Sequence, residues 1–219
     1  AAGAEITLEA NPESVLAPRL EAWAEAGVNR LSMGAQSFDA AELATLGRIH
    51  SVERPREAMA LARKHGFRRL SLDLIFGFPH SRFATLHSSL EAALDCGIEH
   101  LSAYCFIPEP GTPLGDAVLA GASDLPLPEQ QAESYAGLTA FLERAGWRSY
   151  ETSNFCSPGA EARHNLVYWL RRPYLGLGPS AHSLIGGERL ANHYALGRWA
   201  AAIERGEAPE CEREAETEA

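Results

Sequence analysis

Four polar residues stand where side-chain chemistry would be placed in a parallel α/β sheet. Strands covered on both faces read as apolar runs. The segments ITLEANP, LSMGAQSF and LSLDLIFGFP break that rule with Glu9, Gln36 and Asp73, each at or near the C-terminal end of a strand. In a parallel barrel that end carries the site, assembled from several βα units. The Glu9 carboxylate can accept hydrogen bonds from an ammonium or from ribose hydroxyls; the alternative is a surface charge at a strand end. Gln36 offers a donor and an acceptor, and Gly34 before it lets a ligand approach the backbone, although a buried amide can equally serve loop backbone. Asp73 interrupts an apolar strand, and a buried carboxylate needs partners, whether from a ligand or from loop amides. Arg48, in LGRIH, can grip a carboxylate in bidentate fashion or lie solvated at the surface. Two carboxylates, an amide and an arginine together suit a zwitterionic nucleoside bearing a ribose, an amine and a carboxylate.

A second candidate lies in RHNLVYW, where His164, Tyr168 and Trp169 stand at i, i+4 and i+5. On a helix His164 and Tyr168 share a face. An imidazole is a natural axial ligand of heme iron and flanking aromatics suit a flat macrocycle; the alternative is a capping or core histidine. His182 and His193 lie in glycine-rich and loop surroundings that favour structural roles. Cys96, Cys105, Cys156 and Cys211 have no clustered ligand spacing and read as reduced, structural cysteines.

The elements that must position these groups follow a repeat. Apolar, β-rich runs occur at Ile6–Ala10, Arg30–Gln36, Leu70–Phe76 and His100–Ile107, with helical patterns between them. EAGVNRLSMG, KHGFRRLSLD and DCGIEHLSAY share one pattern: a helix end closed by glycine (Gly27, Gly66, Gly97), an apolar residue, two polar ones, Leu-Ser, then a strand. Alternating units of this kind predict a parallel sheet with right-handed crossovers. A closed barrel has eight strands and only four are visible, the first opening almost directly at Ile6, so upstream units are expected to be missing. Beyond Ile107 the pattern changes to a Pro/Gly-rich loop (PEPGTPLGD), a second one through Leu125–Pro128, a helix over 128–145, an extended SYETSNF, and a glycine-rich turn in YLGLGPSAHSLIGG. A further helix is expected over 191–205. The expected division is therefore a partial α/β barrel over residues 1–107 and a small α+β appendage over 108–219, packed on the open end of the sheet and truncated at its C-terminus.

Composition narrows the function classes. The 219 residues are 46% hydrophobic, enough for a sizeable core. The formal charge of −10 argues against general nucleic-acid binding. Half of that charge lies in residues 204–219, read as a solvated acidic segment. No run of about 18 apolar residues and no signal-peptide pattern is present, making an integral membrane segment unexpected and a cytoplasmic location the default.

LEANPES, GVNRLSMGAQSF, LGRIH, LDLIFGFP, EPGTPL, YETSNF, HNLVYW and GLGPSAHS occur in this order across nearly the whole chain. Together they resemble the oxygen-independent coproporphyrinogen III oxidase family of radical S-adenosylmethionine (SAM) proteins, with HNxxYW and GxGxxAHS closer to its HemW-type heme chaperone branch. The resemblance implies an incomplete (β/α)6 barrel whose third to sixth strands are the four seen here. It implies SAM contacts at Glu9, Gln36, Arg48 and Asp73, with Arg48 on the methionine carboxylate and Gln36 and Asp73 on ribose or amine. Ile75 and Ile107 are implied to pack on the nucleoside or to meet it through backbone. His164, Asn165, Tyr168 and Trp169 are the implied heme contacts, with His164 on the iron. Heme or porphyrinogen and heme-acceptor proteins are the implied partners, and a heme chaperone the implied function. One alternative is oxidative decarboxylation of coproporphyrinogen III to protoporphyrinogen IX. Another is a cluster-free α/β barrel lyase or isomerase, which would need a phosphate-binding glycine loop, whereas Gly176–Gly187 lies outside the βα repeat. The sequence departs from the family in lacking the CxxxCxxC segment that holds a 4Fe–4S cluster, whose ligands are expected upstream. A smaller departure is FGFPHSR, where the family more often has a Gln-Thr pair after the proline.

Overall fold

The computed structural model describes residues 3–215 and divides into two compact units between Glu161 and Ala162. The first unit opens with four parallel strands, β1 (Thr7–Ala10), β2 (Arg30–Gln36), β3 (Arg69–Phe76) and β4 (His100–Cys105). Between them run α1 (Ala17–Glu25), α2 (Ala40–Thr45), α3 (Arg54–Lys64) and α4 (Phe83–Asp95). The glycines that close α1, α3 and α4 take φ of +89° (Gly27), +89° (Gly66) and +70° (Gly97), the left-handed conformation that only glycine adopts without cost.

Beyond β4 come α5 (Pro113–Leu119), capped by the Thr112 hydroxyl, and α6 (Pro128–Arg144). A short hairpin of β5 (Arg148–Ser149) and β6 (Asn154–Cys156) then returns to the sheet, whose order is β1-β2-β3-β4-β6-β5. β6 runs antiparallel to β4, with Leu101 opposite Phe155 and Ser102 opposite Asn154. The boundary expected after Ile107 therefore differs from the observed division. Phe155 of the hairpin and Leu138 and Leu142 of α6 are buried in the same core as the strands, so residues 108–161 belong with them.

The strands are not apolar on both faces. Successive side chains alternate between faces. Leu31, Met33, Leu70, Leu72, Leu74 and Leu101 form one face, fully buried with Leu20, Met59 and Leu90 from the helices. Each fully buried Leu or Met contributes about 1.5–3 kcal/mol through apolar surface removed from water. The opposite face carries Arg30, Ser32, Ser71, Asp73, His100, Ser102 and Asn154. Glu9, Gln36 and Asp73 are thus not isolated breaks: Glu9 and Asp73 belong to a polar layer several residues deep.

The second unit contains α7 (Arg163–Trp169), α8 (Leu196–Glu204) and an antiparallel sheet of β7 (His182–Ile185), β8 (Glu188–Asn192) and β9 (Glu210–Ala215). Gly186 and Gly187, at φ +63° and +81°, make the two-residue turn that joins β7 to β8, where both positions need positive φ. The acidic end, expected as a solvated segment, is in part a strand. Its residues 210–215 pair with β8 while keeping their charges at the surface, where Arg213 meets Glu188 at 3.2 Å and Glu210 at 3.3 Å. Residues 216–219 of that acidic segment lie outside the described residues. Among the described residues no helix is long and apolar enough to cross a membrane.

Candidate functional site

Register places the polar side chains in layers. Glu9 stands beside Ser32, Ser32 beside Ser71, and Ser71 beside His100. The next layer toward the C-terminal ends holds Gly34, Asp73, Ser102 and Asn154. The Ser32 hydroxyl donates to Asp73 Oδ1 across 3.2 Å. Burial raises the Asp73 carboxyl above the usual range; hydrogen bonds from Ser102 and Ser32 oppose this, the Glu9 charge adds to it, and Arg30 opposes it weakly. Asp73 thus sits where a ligand cation or hydrogen-bond donor would be welcome. Glu9 itself is exposed.

Deeper on the same face, Ser71 Oγ lies 2.7 Å from His100 Nδ1, and His100 Nε2 lies 2.7 Å from the Tyr150 hydroxyl. Burial, reinforced by the Arg30 and Arg69 charges, lowers the His100 pKa to about 3, so the ring is neutral at physiological pH. This relay ties the segment leading into β6 to the centre of the sheet.

At Gln36 a bulge shifts the register between β2 and β3, and φ is +65°. The carboxamide folds back over Gly34: a Cβ at position 34 would stand 2.5 Å from Gln36 Nε2. The space above Gly34, expected to admit a ligand to the backbone, is filled by the Gln36 side chain itself.

The C-terminal ends of β3 and β4 open into a cavity of about 560 Å³, lined by Arg48, Ile75, Tyr104, Cys105 and Ile107 among others. Its size is that of a small-molecule site, and its walls are mostly apolar. Three of the six expected nucleoside contacts therefore meet here: Arg48, Ile75 and Ile107. The Arg48 guanidinium has no ion-pair partner among the described residues, and Ile107 is 74% exposed, so both are available to a ligand. Tyr104 links this cavity to the polar layer. Burial raises its phenol pKa, and Ser102, Asp73 and Asn154 all lie close enough to act on it. The other three, Glu9, Gln36 and Asp73, do not line this cavity.

Sequence reasoning did not single out Ser32, Ser102, Tyr104, Tyr150 or Asn154. The available signal was strict alternation: Arg30, Ser32, Gly34; Arg69, Ser71, Asp73; His100, Ser102, Tyr104, each interleaved with apolar residues.

In the second unit α7 forms as expected, and His164 and Tyr168 share a face. Their rings meet edge-on at 4.8 Å, Tyr168 meets Tyr174 at 4.6 Å, and His164 Nε2 lies 2.7 Å from the Tyr168 hydroxyl. No residue of the helix is buried; Trp169 is 57% exposed and Asn165 half-buried. An exposed imidazole among aromatics fits a heme ligand, provided that Tyr168 releases Nε2 or that iron is taken at Nδ1. His182 pairs through its backbone with Ala191, and the His193 amide donates to the Pro209 carbonyl across 2.9 Å. The Gly176–Gly187 segment belongs to this unit, not to the βα repeat.

For an iron–sulfur cluster the residues do not fit. All four cysteines are free thiols, and the described residues hold no group of three or more His, Cys, Asp or Glu that could bind a metal.

The fold is an α/β half-barrel with a cavity of small-molecule size at the C-terminal ends of its parallel strands. The family model of the radical SAM superfamily matches residues 1–93. The chain is 41% identical over 188 residues to the heme chaperone HemW of Bacillus subtilis, covering 86% of this chain and 50% of that protein. It is 44% identical over 181 residues to the mitochondrial radical S-adenosyl methionine domain-containing protein 1 of Bos taurus, covering 83% of this chain and 41% of that protein. The fold superposes on coproporphyrinogen III oxidase (HemN) of Escherichia coli with a TM-score of 0.84 at 24% identity, over 99% of this chain and 52% of that one. The chain spans about half the length, or somewhat less, of the curated relatives it matches. Residues 1–93 thus match the radical SAM superfamily, and the chain is similar to HemW proteins over most of its length. That superfamily implies SAM and a 4Fe–4S cluster.

Proposed function

We propose that the complete protein is a radical SAM heme chaperone that binds heme and SAM and passes heme to acceptor proteins in the cytoplasm. The observation that carries this reading is its likeness to HemW proteins over most of the chain, at 41% identity to that of Bacillus subtilis and 39% to that of Escherichia coli. Two sites support it: an apolar-walled cavity with a free guanidinium, at the end of the strand that carries the buried Asp73, and an exposed His-aromatic helix.

In this reading Arg48 pairs with the methionine carboxylate of SAM, where its planar fork gives two parallel hydrogen bonds. Ile75 and Ile107 pack on the nucleoside. Asp73, with Gln36 and Glu9, accepts hydrogen bonds from the ammonium or the ribose. SAM and the cluster supply one-electron chemistry when bound, and these side chains orient the ligand and keep water from it. His164 takes heme iron, with Asn165, Tyr168 and Trp169 around the macrocycle.

The test uses the full-length protein with its cluster reconstituted without oxygen. An Asp73→Ala, Arg48→Ala double variant lowers SAM affinity at least tenfold, and His164→Ala weakens heme binding and moves the Soret band. Unchanged SAM affinity removes the SAM assignment, and unchanged heme binding removes His164 from the iron. Anaerobic conversion of coproporphyrinogen III to protoporphyrinogen IX would replace the chaperone with the oxidase reading.

A further inference from the structure

Asn154 raises a question that the nucleoside contacts leave unanswered. It is 4% exposed and lies on β6, in the same layer as Ser102 and Asp73. Its Nδ2 donates to Glu151 Oε1. A carboxylate only accepts hydrogen bonds, so this contact fixes which end of the amide is nitrogen and turns Oδ1 away from Glu151. Oδ1 is buried and has no hydrogen-bond partner. Such an orphan acceptor costs free energy unless something donates to it. The turn that presents it is well held: the Ser153 amide donates to Glu151 Oε2 across 3.0 Å, and the Tyr135 hydroxyl to the Thr152 carbonyl across 2.9 Å. A rigid support with one unused acceptor is the arrangement expected of a preorganised ligand contact.

The neighbours indicate what the missing donor belongs to. Tyr104 lies beside Asn154 and lines the 560 Å³ cavity at the strand ends. Its phenol, 44% exposed as a residue, stands within hydrogen-bonding reach of the Ser102 and Asn154 side chains, between Asn154 and the cavity. Acceptors dominate this corner: Asp73, Glu9 and Glu151 are acids, and Arg30, the nearest cation, sits one layer deeper than Ser32.

We propose that Asn154 Oδ1, with Tyr104 beside it, accepts a hydrogen bond from an N–H or O–H of the ligand that enters this cavity, and so helps to choose that ligand. This rests on the reading of the cavity as a SAM-family site but adds residues from β4 and the β5–β6 hairpin. The donor belongs either to SAM, through its ammonium or ribose, or to the pyrrole N–H groups of a porphyrinogen.

The test measures dissociation constants of SAM and of coproporphyrinogen III, separately, on the full-length, cluster-loaded protein. Asn154→Ala and Tyr104→Phe each weaken the same one of the two ligands by roughly fivefold to tenfold, the worth of one well-placed hydrogen bond. Glu151→Ala, which releases the amide that Glu151 orients, weakens the same ligand, and by no more than Asn154→Ala does. Unchanged affinity for both ligands in Asn154→Ala, or a larger loss in Glu151→Ala than in Asn154→Ala, overturns the proposal. If Asn154→Ala does not fold by circular dichroism, Tyr104→Phe decides alone, and unchanged affinity for both ligands is then the overturning result. Asp73→Ala, run alongside, separates the readings: no effect on SAM there removes the SAM site, while the porphyrinogen arm still decides the role of Asn154.

Discussion

His100 offers a test of the polar face that needs no ligand. It is 2% exposed, bonded at one nitrogen to Ser71 and at the other to Tyr150, and its pKa is lowered from 6.5 to about 3. The unfolded chain takes up a proton near pH 6.5, whereas the folded chain refuses it until about pH 3. A lowered folded-state pKa in a base favours folding above the unfolded value and withdraws that contribution as the pH falls. The stability tied to His100 is therefore complete above about pH 6.5 and is lost progressively down to about pH 3. At roughly 1.36 kcal/mol per pH unit, acidification from about pH 7 to about pH 5 removes about 2 kcal/mol. Carboxylates elsewhere titrate too, so the useful quantity is a difference between proteins. His100→Gln can keep a polar contact but cannot titrate. It starts less stable at neutral pH, and its loss between about pH 7 and about pH 5 is smaller than that of the unaltered chain by about 2 kcal/mol. Urea unfolding followed by circular dichroism at each pH reads this directly. Parallel pH profiles for the two proteins would refute the placement of a neutral imidazole on a buried polar face.

Two more expectations concern the sheet. Phe155, 1% exposed and opposite Leu101, anchors the hairpin to the core, so Phe155→Ala should cost about 3–5 kcal/mol in the same urea assay. Gly34→Ala would place a methyl group 2.5 Å from Gln36 Nε2, the far end of a flexible side chain that can swing away. Stability should then fall by less than about 1 kcal/mol, while SAM affinity of the full-length protein falls with the displaced amide. Unchanged affinity would show that the parked position of Gln36 does not matter to the ligand.

Much of the first unit is legible in the sequence. The Gly-apolar-polar-polar-Leu-Ser repeat marked helix ends and strand starts at Gly27, Gly66 and Gly97, and α6 closely matches the expected helix over 128–145. The acidic end carries its charges at the surface, as a solvated segment should, yet Glu210, Glu212 and Glu214 ride on a strand because β8 offers them a backbone edge. Against strands apolar on both faces Glu9, Gln36 and Asp73 stand out as exceptions, whereas Ser102 and His100 follow the same alternation of a polar and an apolar face.

The sequence by itself determined the βα repeat, the helix caps and the candidate residues at the strand ends. Those features arise from contacts within a few residues: a glycine that alone tolerates positive φ, a periodicity of two or of three to four. Only the tertiary structure decided that residues 108–161 join the barrel, that Gln36 covers Gly34, and that Asn154 stands beside Asp73. The Asn154–Ser102 pairing joins residues about fifty positions apart, through an antiparallel hairpin only two and three residues long per strand. Such short strands carry no periodicity to read, and their register is set by Phe155 finding its place in the core and by the Tyr150–His100 contact. Which polar atoms end up partnered, and that Asn154 Oδ1 is left without a partner, follows from that register.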